Sequence, residues 1–247
     1  MNSPVGRIPR VSSELTFADR LGSFKARWKI GRMTYFIDPG LYALGAPDAN
    51  SQVLVTANYK MSFDWLRSVL PGMNAWILAL NTDGINVWCA AGKGTFGTEE
   101  LVNRIESSGL GSVVSHRQLI LPQLGAPGVA AHQVKRLSGF KVIYGPIRAE
   151  DIPAFVASGF KATPEMRRKT FGAWERTVLI PVELVSALEV AVFVIPAFFF
   201  FGGLGGPFDY WSNVLNFGVF AAIALLCALV AGTILAPIFL PWLPGRA

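Results

Sequence analysis

Along the first two thirds of the chain, short apolar runs alternate with stretches whose apolar residues recur at helical spacing. Gln52 to Ala57, Ala75 to Leu80, Gln118 to Leu121 and Phe140 to Tyr144 have strand length and composition. Between them lie candidate helices. Ser62 to Leu70 opens with a capping Ser and carries Phe63, Leu66 and Leu70; Thr98 to Ile105 opens with Glu99 and Glu100, acids suited to the positive end of a helix. Val129 to Leu137 and Ala149 to Ala157, bounded by Gly or Pro, complete the set. This alternation predicts an α/β domain with a largely parallel sheet, a fold in which ligands sit at the carboxyl ends of the strands.

The last third has a different pattern. Val178 to Phe201 holds two carboxylates, Glu183 and Glu189, and no basic residue; Val214 to Leu240 holds no charge at all. At about 1.5 Å per residue, each can cross a hydrocarbon core roughly 30 Å thick. Gly218, Gly232 and Pro237 are tolerable in a spanning helix, where neighbours re-satisfy the backbone. Phe198 to Phe201, Trp211 and Trp242 suit the bilayer and its interface. Glu183 and Glu189 fall about 120° apart around a helix, so they do not form one ligand pair. Cys227, inside the second run, reads as an apolar filler. Three regions follow: an α/β domain over residues 1–165, a basic juxtamembrane linker over 166–177, and a transmembrane region over 178–247 with spans at 178–201 and 214–240.

Charge orients this arrangement. The chain of 247 residues has a formal net charge of +6 and is 52% hydrophobic, which excludes disorder and collagen-like repeats. Arg167, Arg168, Lys169 and Arg176 precede the first span, Arg246 follows the second, and the connecting loop has only Asp209. The positive-inside rule predicts both termini and the α/β domain on the cytoplasmic side of an inner membrane. No nucleic-acid motif accompanies the Arg167 to Lys169 cluster, and the charged first thirty residues offer no secretory core, so no cleaved signal is expected. Cys89 and Cys227 lie in such different settings that a disulfide is not expected.

The loops after the strands gather the candidate chemistry: Thr56 to Tyr59, Asn81 to Lys93, Pro122 to Gly128, and Gly145 with Pro146. All are rich in Gly, Pro, Asn or Thr, which suits either ordinary turns or the close approach of a flat ligand. Within Asn86-Val87-Trp88-Cys89-Ala90-Ala91-Gly92-Lys93, an Asn86 cap would put Cys89 in the first turn of a short helix, where a thiolate and soft metal ligation are favoured. A zinc site would need His116 and His132 from distant loops with no paired spacing. A Cys–His nucleophile has no local signature. A Walker A loop fails because Gly94 follows Lys93 and Val87 stands where the first Gly belongs. An inert buried Cys remains open on spacing alone.

The string NVWCAAGK at Asn86 to Lys93 resembles the cap-helix motif of the mercury-methylating corrinoid protein (HgcA) family. The likeness runs on through Leu101 and recurs in Val55 to Arg67, Pro122 to His132 and Ser138 to Ile152. It implies a Rossmann-like cobamide-binding domain, related to the corrinoid iron-sulfur protein of the acetyl-CoA pathway, followed by a transmembrane region. It also implies that Cys89 is the lower axial ligand of cobalt, where a thiolate pushes electron density onto the metal and favours transfer of a methyl group from methyl-cobalt to Hg(II), giving methylmercury. On that reading Asn86 and Trp88 fix the cap helix and its ring-side packing, Val87 belongs to the same cofactor-binding stretch, and Ala90, Ala91 and Gly92 let the helix lie flat beneath the corrin. Lys93 tunes charge or binds a corrin amide, while Thr56, Asn58 and Tyr59 with Gly125, Ala126, Pro127 and Gly128 meet the corrin rim. The resemblance further implies a small ferredoxin-like partner with two 4Fe-4S clusters, which two cysteines cannot supply here, and a methyltransferase that delivers the methyl group. The family pattern runs to more spanning helices than the two found here. A membrane-tethered corrinoid carrier with another acceptor, or a non-catalytic anchor or transport module, are the other functions this chain could serve.

Overall fold

Six strands form one mixed sheet: β1 (Arg10–Val11), β2 (Gly40–Leu44), β3 (Gln52–Ala57), β4 (Ala75–Leu80), β5 (Gln118–Leu121) and β6 (Lys141–Tyr144), in the order β1-β2-β4-β3-β5-β6. The computed structural model describes residues 1–243; Arg246 lies outside them. Strands β4, β3, β5 and β6 run parallel, with Val53 opposite Trp76 and Leu119 opposite Val142, whereas β2 pairs antiparallel with β4 and β1 follows β2. The sheet is therefore parallel over the four strands anticipated from the sequence and mixed at the edge that was not. Gly40–Leu44 is placed by pairing with β4 on one side and β1 on the other, both remote in sequence, and the two residues of β1 are too few for a periodic signal.

Alternate side chains of these strands enter two cores. Val53, Val55, Trp76, Leu78, Leu119 and Leu121 pack with Leu101, Ile105 and Val134, while Leu54, Ile77 and Ile120 pack with Phe63, Leu66, Ile152 and Phe155. The first group, which also takes in Ala90 and Ala91, belongs to α3 (Val87–Lys93), α4 (Thr98–Ser107) and α5 (Ala131–Ser138) on one face; the second to α2 (Lys60–Ser68) and α6 (Ile152–Ala157) on the other. Burial on both faces explains the continuous apolar strands, and each fully buried aliphatic or aromatic side chain contributes about 1.5–3 kcal/mol.

Helix boundaries shift for local reasons. Ser62 does not cap α2: the helix starts at Lys60, straight after Tyr59, which offers no side-chain cap. Asn58 still pairs with the sheet through Leu80, so the turn begins as soon as the strand ends. Val129 stays extended and α5 begins at Ala131, and Ala149–Asp151 is a single 3-10 turn ahead of α6. Phe140 is buried beside β6 but precedes it.

An N-terminal helix, α1 (Phe17–Arg27), was not foreseen. Its Asp19 joins a charged cluster on α2: Lys60 bridges Asp19 and Asp64 at 2.5 Å each, and Arg67 reaches Asp19 at 2.8 Å and the carbonyl oxygens of Ser12 at 2.6 Å and Glu14 at 3.0 Å. Burial acts to raise the Asp19 carboxyl, but hydrogen bonds from Lys60, Thr16 and Arg67 outweigh it and hold the group well below the usual carboxylate range.

The chain divides into two compact units, Met1–Phe24 with Met33–Lys169, and Lys25–Arg32 with the residues from Thr170 onward. In the second unit a short turn of helix, Ala173–Thr177, leads into α7 (Ile180–Phe201), and α8 runs from Tyr210 to Trp242. Both are long and apolar enough to cross a membrane by length and composition, at mean hydropathies of 2.4 and 2.6. They approach closely at glycines: a Cβ on Gly218 would lie 2.1 Å from the carbonyl oxygen of Phe199, a contact that only Gly permits. Two widened π turns, Val214–Gly218 and Ala231–Leu235, lie within α8, the second just ahead of Pro237, whose missing N–H and bulky ring disturb the preceding turn. Glu189 lies within α7. It forms an ion pair with Lys29, a residue of the same unit.

Candidate functional site

The parallel strands end together, so the loops after β3, β4, β5 and β6 share one edge of the sheet. The loop after β4 carries α3. Asn86 takes an extended backbone, and its Oδ1 accepts the backbone N–H of Cys89 at 3.0 Å, closing the first turn. Gly94, at a φ of 86°, ends the helix in the left-handed conformation.

This short helix has two unlike faces. Ala90 and Ala91 are buried, whereas Trp88, Cys89, Gly92 and Lys93 are exposed. Trp88, Cys89 and Gly92 fall within an arc of about 100°, so the thiol, a large flat indole and a position without a side chain share the outward face. Nothing lies within 4 Å of a Cβ built on Gly92. Trp88 is 68% exposed, so its indole is turned away from the core. Cys89 is a free, exposed cysteine and not an inert buried one.

Behind α3, the loop Gln123–Gly128 turns through 3-10 geometry. A Cβ on Gly128 would sit 2.1 Å from the carbonyl oxygen of Phe96 and 3.2 Å from the Cα of Ala91; one on Gly125 would meet the Phe96 ring at 2.4 Å. These glycines admit this chain's own cap helix and the segment after it. Pro127 is exposed and Ala126 half-buried on the same loop.

Thr56, Asn58 and Tyr59 are all buried. The Asn58 Oδ1 accepts the backbone N–H of Thr82 at 3.0 Å, the Thr82 hydroxyl at 2.9 Å and the N–H of Gly84 at 3.2 Å, and Tyr59 donates its hydroxyl to the sulfur of Met61 at 3.3 Å. Asn58 thus fixes the loop that carries Cys89 from behind.

Several supports were not evident in the sequence. Glu100 Oε1 accepts the N–H of Asn81 at 2.7 Å, and Thr98 Oγ1 accepts that of Ala130 at 2.8 Å. Tyr144 donates its hydroxyl to the carbonyl oxygen of Val129 at 2.7 Å. Each joins residues far apart in the chain, and only the acidic first turn of α4 hinted at one of them. Among the described residues, no three His, Cys, Asp or Glu side chains cluster to hold a metal. A metal at this edge would have Cys89 as its protein ligand and take its remaining ligands from a cofactor.

The fold and site define an α/β domain that presents a capped, thiol-bearing helix at the carboxyl edge of its parallel strands. Residues 32–156 match the family described as CO dehydrogenase/acetyl-CoA synthase delta subunit, and the chain belongs to that family. It is similar to subunit gamma of the acetyl-CoA decarbonylase/synthase complex of Methanopyrus kandleri, 30% identical over 122 residues, which are 49% of this chain and 26% of the relative. Subunit gamma 2 of Methanosarcina mazei is 32% identical over 124 residues, again 49% and 26%. The Methanocaldococcus jannaschii subunit gamma is 36% identical over 92 residues, 36% of this chain and 19% of the relative. The chain spans about a fifth to a quarter of the length of these relatives, and the family match, over residues 32–156, ends ahead of α7 and α8.

Proposed function

We propose that this chain is a membrane-tethered corrinoid protein that carries a methyl group, in which the Cys89 sulfur would be the protein's ligand to cobalt and Hg(II) the methyl acceptor. The observation that carries the reading is the outward face of α3, where Cys89 is exposed beside Trp88 and the open position at Gly92. A broad, flat macrocycle can rest on such a face. The chemistry of the group fits too, since thiolate sulfur is a soft ligand for a late transition metal.

Each part of the chain has a task in this reading. Asn86 holds the first turn so that the thiol stands clear of the backbone, and Ala90 and Ala91 anchor the helix from behind. The Gly125 to Gly128 loop and Asn58 keep the helix in register with the sheet edge, while Trp88 and Lys93 offer a flat surface and a cation to the ring and its amide side chains. When bound, the corrin supplies a cobalt centre able to hold and release a methyl group, its electron density raised by the Cys89 sulfur. Electrons would come from a ferredoxin-like partner with two 4Fe-4S clusters, and the methyl group from a separate methyltransferase. With Arg167, Arg168, Lys169 and Arg176 beside α7, the domain would face the cytoplasm, with α7 and α8 in the inner membrane.

A second reading has its own support. The curated relatives are named as subunits of the acetyl-CoA decarbonylase/synthase complex, which favours a carrier that serves a partner enzyme rather than Hg(II). Purified chain should contain cobamide, with a spectrum altered in Cys89→Ala. Colourless protein, or an unchanged spectrum in the variant, overturns the carrier reading; normal cobamide with no methylmercury formed from Hg(II) overturns the acceptor alone.

A further inference from the structure

The amphipathicity of α1 is inverted. Its packed face is small or polar: Ala26 is fully buried, Asp19 is held by Lys60 and Arg67, and a Cβ on Gly22 would press on the Tyr35 ring at 2.6 Å. Its outward face is large and apolar: Phe17 is 80% exposed, Leu21 39%, Phe24 58% and Trp28, just past the last turn, 37%. At helical spacing these four side chains fall within about 60° of arc. Arg20 and Arg27 lie about 70–90° to one side of the centre of that stripe and Lys25 about 70° to the other. Asp19 is the one acid on the helix, and it faces the cluster on α2.

A water-facing helix has no use for such a stripe, whereas a helix lying in a bilayer interface needs both the stripe and the flanking cations. We propose that the outward face of α1 beds into the headgroup layer of a membrane containing anionic lipid, with Arg20, Lys25 and Arg27 on the phosphates. The inference rests on the reading of α7 and α8 as membrane spans, and the residues that follow α1 connect to them: Lys29 pairs with Glu189 of α7 within one compact unit. Ile30 and Met33, 61% and 73% exposed, extend the apolar surface beyond the helix.

The test uses the full chain, with Cys89→Ser and Cys227→Ser, in nanodiscs of phosphatidylcholine and phosphatidylglycerol. Spin labels are placed singly at Leu21→Cys, at Phe193→Cys on α7 and at Trp65→Cys on α2, a site 56% exposed. Collisions with oxygen, enriched in lipid, and with a water-soluble nickel chelate report depth. The Leu21 label should lose chelate access while keeping oxygen access, as the Phe193 label does, and Trp65 should show the reverse. Arg20→Glu with Lys25→Glu should restore chelate access at Leu21 but not at Phe193. A Leu21 label as open to the chelate as Trp65 overturns the proposal; in that event the Phe193 label, read in the same discs, tells whether the spans fail with it. Phe17→Cys repeats the reading should Leu21→Cys not fold.

Discussion

Asn58, at the end of β3, holds Thr82, at the end of β4, by accepting both its backbone N–H at 3.0 Å and its hydroxyl at 2.9 Å. Both residues are buried, so no water replaces these bonds. Asn58→Ala leaves the backbone N–H groups of Thr82 and Gly84 without their acceptor, while the Thr82 hydroxyl keeps the carbonyl oxygen of Ile85 at 2.7 Å; it should cost about 2 kcal/mol, read as a lower thermal midpoint. Asn58→Asp keeps the acceptor oxygen and should recover part of the loss. Because the same oxygen orders the approach to α3, cobamide retained after purification should fall with stability in the Ala variant.

The Asn86 cap makes a smaller and more local prediction. Asn86→Ala removes the acceptor for the Cys89 N–H and should cost about 1 kcal/mol, roughly a fivefold rise in local opening of a helix this short. Hydrogen exchange should quicken over residues 87–93 while the strands keep their protection. Asn86→Ser, which can cap in the same way, should behave as the parent; equal exchange in all three would mean that packing of Ala90 and Ala91 alone holds the helix.

How much of this was legible in the sequence follows the range of each interaction. The four parallel strands announce themselves because burial on both faces makes them locally apolar, and the Asn86 cap is legible because donor and acceptor lie three residues apart. Strand β2 and the contact of Gly128 with Ala91 are set by chain segments remote in sequence, which no local period encodes. Asn58 was picked out correctly as belonging to the strand-end loops, but its side chain is turned to Thr82 and Gly84, a commitment that only the fold reveals. The stripe on α1 went unread for another reason. Its apolar positions are regular, but its packed side holds Asp19, Gly22 and Ala26, the opposite of what a soluble helix would bury.

The cluster of Asp19, Lys60, Asp64 and Arg67 predicts a pH dependence with a definite sign. The Asp19 carboxyl titrates below its ordinary value of 3.8 in the folded chain, so its contribution is fully present above that value and is lost as pH falls through the lower, folded one. Lys60 is raised above 10.5: burial opposes this, but the hydrogen bonds it donates to Asp19 and Asp64 prevail, so its contribution is present below 10.5 and lost as pH rises through the raised value. Asp19→Asn should lower stability at neutral pH by about 1–2 kcal/mol, discounted for the cluster's partial solvent access. It should also flatten the fall of the thermal midpoint between about pH 4 and pH 3, where the parent should decline more steeply.

Two glycines near Cys89 separate support of the site from occupancy of it. At Gly128 an added methyl would collide with the carbonyl oxygen of Phe96 at 2.1 Å and press on Ala91 at 3.2 Å, backbone atoms that cannot swing aside. Gly128→Ala should therefore cost about 1–3 kcal/mol and shift α3, lowering the thermal midpoint of the protein with or without cofactor. At Gly92 the same methyl meets nothing within 4 Å and joins a helix interior, where Ala is favoured over Gly by about 0.5–1 kcal/mol. Gly92→Ala should thus leave the cofactor-free protein as stable as the parent or slightly more so, yet weaken cobamide binding, because the methyl occupies the face beside Cys89 on which the ring would rest. Equilibrium dialysis with cobalamin, set against thermal melts of the cofactor-free chain, measures both. Undiminished binding in Gly92→Ala would mean that the ring does not lie on this face.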